Sequence, residues 1–350
     1  MTLRIGITAA IYSDEVIELV RDAERLGVDS VWTPEFWGYD AMTPLAFIAA
    51  RTSRIRLGTA IVQLGARTPA MLAMSAMSLQ ALSKNRFVLG IGTSGPQVME
   101  GWHGVEFSKP VQRTRETIEI IHAITRHERL EYHGKVYTLP LPGGEGRSIR
   151  SIAPPVEVPI YLASLGPANL ALTGELADGW IGNSFLPESA DVFVDPIRRG
   201  AEAAGRSLSD IDLTVSVGLE FTDDVDEAGR RHARGYAFTF GAMGSAKQNF
   251  YNDAFARQGF GDDVAEVQRL WLAGDRDAAA DRVPLEIGLK TNLVGTPELV
   301  MERLRLYRDA GITTLRIGVD ANDVPGQLES IARLLDLVAA VNAEAPTAVA

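Results

Sequence analysis

Short runs rich in apolar and β-branched residues alternate with amphipathic helical runs along almost the whole chain, and they do so eight times. That alternation demands a parallel sheet, because two consecutive parallel strands need a crossover of a dozen or more residues and a helix is its usual form. The strands are predicted at Leu3–Thr8, Ser30–Thr33, Ile55–Val62, Arg86–Gly92, Pro159–Ala163, Gly179–Gly182, Ile211–Glu220 and Thr313–Val319. The helices are predicted at Asp14–Leu26, Pro44–Ala50, Pro69–Leu82, Gln112–Arg126, Ala168–Leu176, Glu188–Ala204, Pro297–Ala310 and Pro325–Val341. The first shows the physical logic: Val16, Ile17, Leu19, Val20, Ala23 and Leu26 form one stripe, Ser13 stands at the N-cap and Gly27 past the C-terminus. Eight strands and eight helices favour a closed (β/α)8 TIM barrel over an open doubly wound sheet. The length of 350 residues suits one such barrel with insertions.

Two stretches interrupt the rhythm. Residues 128–157 hold Pro140, Pro142, Gly143, Gly144, Pro154 and Pro155, and residues 225–290 are helical with aromatic and glycine interruptions. We read both as excursions from a single barrel domain spanning 1–350.

Composition removes several classes of function. With no cysteine there is no disulfide, thiolate nucleophile or iron–sulfur ligand. A net charge of −11 argues against nucleic acid as a main partner. No run approaches the ~18 apolar residues of a membrane span, and the beginning of the chain lacks the zones of a signal peptide. The expected location is therefore cytoplasmic and the expected partner a small molecule. None of the five histidines forms a His-Glu-x-x-His pair, so no metal site is expected. The signatures of P-loop proteins and of Ser hydrolases are absent.

Several loops at strand ends carry chemistry. Gly90-Ile91-Gly92-Thr93-Ser94-Gly95 matches a dinucleotide fingerprint in letters, but Pro96 follows at once and no helix is expected to begin there, so a glycine-rich ligand loop is the better reading. Glu35 lies beside Phe36 and Trp37, where burial against aromatics would suit a proton-transferring acid; a solvated acid is the alternative. Gln63 breaks the apolar third strand and needs partners, either a ligand or neighbouring backbone. Arg67-Thr68-Pro69 reads as helix capping. Ser164, Leu165 and Gly166 precede a helix N-terminus, which suits an anion or simply a capped turn. His103, next to Trp102, is the one histidine in a loop that follows a strand end, and both are candidates for substrate contact.

Taken together, Val31–Glu35, Ile55–Ile61 and Asn85–Gly92 resemble the luciferase-like superfamily. Ser94–Gly104, Gly241–Gly244, Asn249–Asn252 and Gly295–Glu298 resemble its coenzyme F420-dependent oxidoreductase branch, and the likeness runs from about Leu3 to Asp336. The resemblance implies a deazaflavin at the C-terminal face of the strands and hydride transfer to or from an organic substrate. It implies a non-prolyl cis peptide at Ala60–Ile61 beside the ring, Gln63 under or beside it, Thr93, Ser94 and Gly95 against the cofactor, and Ser164–Gly166 at its phosphate, with the Ser164 hydroxyl as a donor. Glu35 is then the candidate for proton transfer and Trp37 for a pocket wall. The chain departs from the sugar-phosphate dehydrogenases of this branch, which carry a His after strand two and a Glu in the strand-four loop. Here those regions read Pro34-Glu35-Phe36 and Thr93-Ser94-Gly95-Pro96. An FMN-dependent monooxygenase on the same fold and a non-catalytic flavin-binding protein are the rival readings. A homodimer or higher homo-oligomer is expected, because Met71, Leu72, Met74, Ala76 and Met77 make the Pro69–Leu82 helix apolar on more than one side.

Overall fold

The computed structural model describes residues 2–10, 13–243, 249–321 and 323–344. Gly244, at the end of one resembling motif, and the chain beyond Glu344 lie outside the described residues.

Eight parallel strands close in chain order: Arg4–Thr8, Ser30–Thr33, Arg56–Thr59, Phe87–Gly92, Ile160–Ala163, Gly179–Gly182, Asp212–Phe221 and Thr314–Val319. We number them one to eight. Closure is explicit at Gly6, which registers with Ser30 on one side and with Arg316 on the other. The eight predicted helices are all present, at Asp14–Leu26, Met42–Ala49, Pro69–Ser83, Pro110–Thr125, Pro167–Leu176, Asp191–Ala203, Pro297–Asp309 and Val324–Ala343. None of the described helices is long and apolar enough to cross a membrane.

The differences from expectation have local causes. The third strand does not run through to Val62: it stops at Thr59, and Val62–Gln63 resumes pairing against strand four, while the Ala60–Ile61 peptide between them is cis, as the resemblance implied. A three-residue strand, Leu293–Gly295, pairs with the far end of strand seven and has no counterpart in the sequence reading. A helical turn does begin after Gly95, over Pro96–Met99, because proline at the first helical position lacks only an N–H that would be unpaired anyway.

Both excursions are anchored. In the first, Tyr132–His133 and Thr138–Leu139 form a hairpin. Its turn is held by the Glu116 carboxylate, which accepts N–H bonds from Lys135, Val136 and Tyr137. Burial works against that charge, yet these bonds and Gln112 hold the carboxyl below its ordinary range. In the second, Phe240, Phe255, Val264, Val267 and Ile287 build a small core of their own.

Inside the barrel the residues fall into layers. At the N-terminal end Asp212 pairs with Arg4 (2.7 Å) and Arg56 (3.5 Å), Arg56 also pairs with Asp29 (2.6 Å), and the Tyr161 hydroxyl donates to Asp212 (2.6 Å). Above it Trp32, Val88, Tyr161 and Ile181 fill the centre. The Trp32 indole lies across the interior with its N–H donated to Ser30 (2.9 Å), and Gly58 makes room for it, since a Cβ there would overlap the ring.

Candidate active site

Side chains alternate along a strand, so the inward face of each strand can be followed from this central layer to the C-terminal mouth. Thr8, Ala60, Ala163, Ser216 and Gly318 are reached there, and all are small and either half-buried or exposed. Ile61 joins them, leaning against Gly92. Ala60, Ile61 and Ala163 sit directly on the Trp32 layer. The barrel therefore ends in a shallow cradle with a filled floor, at the face where barrels of this type carry function.

One edge of the cradle is a polar knot. The Glu35 carboxylate, 7% exposed, takes a bidentate pair of bonds from Arg67 (2.7 and 2.8 Å) and further N–H bonds from Ala41 (3.1 Å) and Gln63 (3.3 Å). Every donor belongs to the protein, so the carboxylate ties the loop after strand two to the turn before the Pro69–Ser83 helix. The carboxylate that the sequence offers for proton transfer is thus held in a salt link, and Arg67, read as part of a capping sequence, has an ionic partner as well. Gln63 is buried next to them. Its amide nitrogen donates to the carbonyls of Glu35 (3.2 Å) and Phe36 (3.1 Å), which turns its oxygen toward His103 Nε2 at 2.7 Å. The imidazole must then donate from Nε2, and Nδ1 is left without a partner among the described residues.

Aromatic side chains rim the same edge. Phe36, Trp37 and Trp102 are 59%, 48% and 63% exposed, and Phe36 and Trp37 meet edge to face at 5.9 Å. So much exposed aromatic area at a barrel mouth suits a ligand wall.

The loop after strand four supplies Thr93, Ser94 and Gly95, all half-buried, with Ser94 in the left-handed region at φ 57°. A non-glycine residue held there is often found where a loop is shaped for a ligand. Beside this loop, at the end of the neighbouring strand five, Ser164 turns into the protein. It is 4% exposed, its hydroxyl pairs with Thr173 at 2.8 Å, and its carbonyl accepts the Trp180 indole N–H (2.9 Å). The Ser164 side chain thus faces the helix layer and not the opening. Gly166, the N-cap of the Pro167–Leu176 helix, has open space at its Cβ position and no side-chain cap. Arg257, from the second excursion, reaches the Leu165 carbonyl (2.6 Å) and brings a cation to that helix start. Nothing local in the sequence marks Arg257, because its neighbour lies 92 residues away.

One cluster among the described residues brings acidic and imidazole atoms within 4.8 Å of one another: Glu220, His232 and Asp320. The Arg231 guanidinium already pairs with Glu220 and lies 3.7 Å from Asp320, so one of the two negative charges is offset from within.

Residues 3–314 match the family model described as luciferase-like monooxygenase. The chain belongs to that family. Among its luciferase-like relatives, a Mycobacterium tuberculosis protein inferred to be a coenzyme F420-dependent oxidoreductase is 37% identical over 322 residues, covering 89% of this chain and 93% of that protein. The F420-dependent glucose-6-phosphate dehydrogenase of Kineococcus radiotolerans is 30% identical over 309 residues, covering 84% and 83%. The solved structure of the coenzyme F420-dependent tetrahydromethanopterin reductase of Methanopyrus kandleri superposes with a TM-score of 0.77 at 23% identity, over 95% of this chain and 98% of that one. This luciferase-like chain thus has the barrel of the family over nearly its full length.

Proposed function

We propose that this protein is a coenzyme F420-dependent oxidoreductase that passes a hydride between the deazaflavin and a small organic substrate. The observation that carries the reading is the cradle: small inward side chains on five strands leave room for a flat ring on the Trp32 layer, with proton-carrying His103 held at its rim. The relatives named above favour the deazaflavin as its occupant. When bound, that cofactor supplies a two-electron hydride carrier.

The residues present fit such a group. Ala60, Ile61 and Gln63 border one side of the ring site, and Thr93, Ser94 and Gly95 another. The N–H groups at Gly166 and at the start of the next helix, with Arg257, suit the anionic tail, since a helix N-terminus carries partial positive charge. Leu165 takes part through its carbonyl, which holds Arg257 in place. His103 holds or moves the substrate's proton at Nδ1, Gln63 fixes its tautomer, and Glu35 with Arg67 positions Gln63. Trp37 and Trp102 wall the substrate side and exclude water from it. The family's description is what favours the rival FMN-dependent monooxygenase reading.

Steady-state assays with a panel of alcohols and carbonyl compounds test the proposal, reading the deazaflavin chromophore. Turnover with F420 for at least one class is expected. Turnover only with reduced FMN and oxygen would favour the monooxygenase.

We further infer a homodimer. On the Pro69–Ser83 helix Met71, Met74 and Leu82 are 49%, 59% and 64% exposed, beside Phe47 of the adjoining helix. An apolar stripe of this kind is costly in water. Light scattering at micromolar concentration is expected to give twice the 37.8 kDa chain mass; a monomer would contradict it.

A further inference from the structure

Strand eight carries an arginine inside the barrel. Arg316 lies on the inward face, between Thr314 below and Gly318 above. It is 5% exposed. One of its terminal nitrogens donates to the Gly182 carbonyl at the end of strand six (3.0 Å), and its guanidinium carbon lies 5.7 Å from the centroid of a Trp32 ring. Its Nε–H is buried with no acceptor, and no carboxylate pairs with it among the described residues. Burial pulls its pKa down to about 10, so the group is still a cation at neutral pH.

A buried cation is normally paired. The same barrel obeys that rule at its closed end, where Arg4 and Arg56 both meet carboxylates. Among the described residues, the barrel arginine beneath the open end is left without a counter-charge. Above it, Gly318 is exposed and a Cβ there would meet nothing within 4 Å, so no side chain of strand eight covers the layer that holds the guanidinium.

We propose that Arg316 is the receptor for the negative charge of the bound deazaflavin ring, donating its free Nε–H to a ring-edge atom that carries that charge. This rests on the F420 reading. The deazaflavin bears a phenol-type hydroxyl whose anion is delocalised over the flat ring, and a planar guanidinium suits a flat, delocalised anion better than an ammonium does. The cofactor is favoured over an anionic substrate because Arg316 belongs to the floor of the cradle. His103, Trp37 and Trp102, the groups turned to substrate, stand at its rim.

The test is an absorbance titration of bound F420 against pH in the wild-type protein, Arg316→Met and Arg316→Lys. In the wild type the ring hydroxyl should ionise at a pH about one unit or more below that of the free coenzyme, the size of shift a nearby opposite charge produces. Arg316→Met should remove that shift and weaken F420 binding about tenfold or more, while Arg316→Lys keeps part of both. Thermal melts of the ligand-free proteins should show Arg316→Met folded and no less stable than the wild type, since it removes an unpaired buried charge. An ionisation unmoved by Arg316→Met overturns the proposal, and so does a loss confined to substrate affinity. Failure of the wild type to bind F420 at all would instead sink the functional reading, with this inference along with it.

Discussion

Replacing His103 by alanine lowers turnover by about 10²–10⁴-fold, the range for loss of a positioned general acid or base, with little change in cofactor affinity. The reason lies in the chain of bonds behind the ring. The Gln63 amide is oriented by the carbonyls of Glu35 and Phe36, so it can only accept from His103 Nε2, and this presents Nδ1 outward. Gln63→Leu should therefore leave the imidazole in place but free its tautomer, giving a smaller loss in kcat than His103→Ala. Glu35→Gln separates positioning from chemistry. Its carboxylate is spent on Arg67, Ala41 and Gln63. Breaking that partly buried pair should lower stability by about 2–3 kcal/mol, somewhat less than for a fully buried one, and leave the shape of the pH profile intact. Kinetics of the three variants across pH, with thermal melts, give the answer. A His103→Ala enzyme active to within about threefold, beside a Glu35→Gln enzyme that has lost one limb of its profile, would return the proton to Glu35.

The largest effect on stability is expected at the other end of the barrel. Asp212, 11% exposed at its side chain, faces Arg4, Arg56, the Tyr161 hydroxyl and Thr313. Asp212→Ala takes the carboxylate from half-exposed Arg4 and the acceptor from the buried Tyr161 hydroxyl, while Arg56 keeps Asp29, and should cost about 3 kcal/mol, the lower end for a broken buried pair. The same group makes stability depend on pH. Burial alone would raise its pKa, but Arg4, Thr313, Tyr161 and Arg56 together hold the folded-state value below the ordinary one of 3.8. A carboxyl whose folded pKa is depressed contributes stability that is fully present above its unfolded pKa and is lost as pH falls through the folded pKa. The wild type should accordingly lose stability on acidification from about pH 5 downward, and Asp212→Ala should show a flatter profile over the same window. Parallel slopes for the two proteins would remove Asp212 from the account.

The fold was legible because its signals are local. Asp14–Leu26, Ser30–Thr33 and Gly179–Gly182 are read from apolar periodicity and from glycine at helix ends, and the structure has the same bounds. Leu293–Gly295 was not legible, since three apolar residues after a helix carry no period. In the site, Gln63 was visible as a polar break in an apolar strand. Its meaning was not, because its partners lie 28 and 40 residues away. The same holds for Arg67, whose carboxylate is 32 residues back. Ser164 was ambiguous for a related reason: a small hydroxyl before a helix looks the same whether it faces a ligand or pairs, as here, with a threonine on that helix. Arg316 sits in a strand whose letters give no hint that its neighbours lack a counter-charge.

Fluorescence titration of the purified protein with coenzyme F420 and, separately, with FMN tests the central claim most directly. The cradle, the helix start at Gly166 with Arg257, and the unpaired Arg316 all suit a flat ring with an anionic tail longer than a single phosphate. F420 is therefore expected to bind at least about tenfold tighter than FMN, a difference of about 1.4 kcal/mol. Equal or tighter binding of FMN, with oxygen consumed once the bound flavin is reduced, would contradict it.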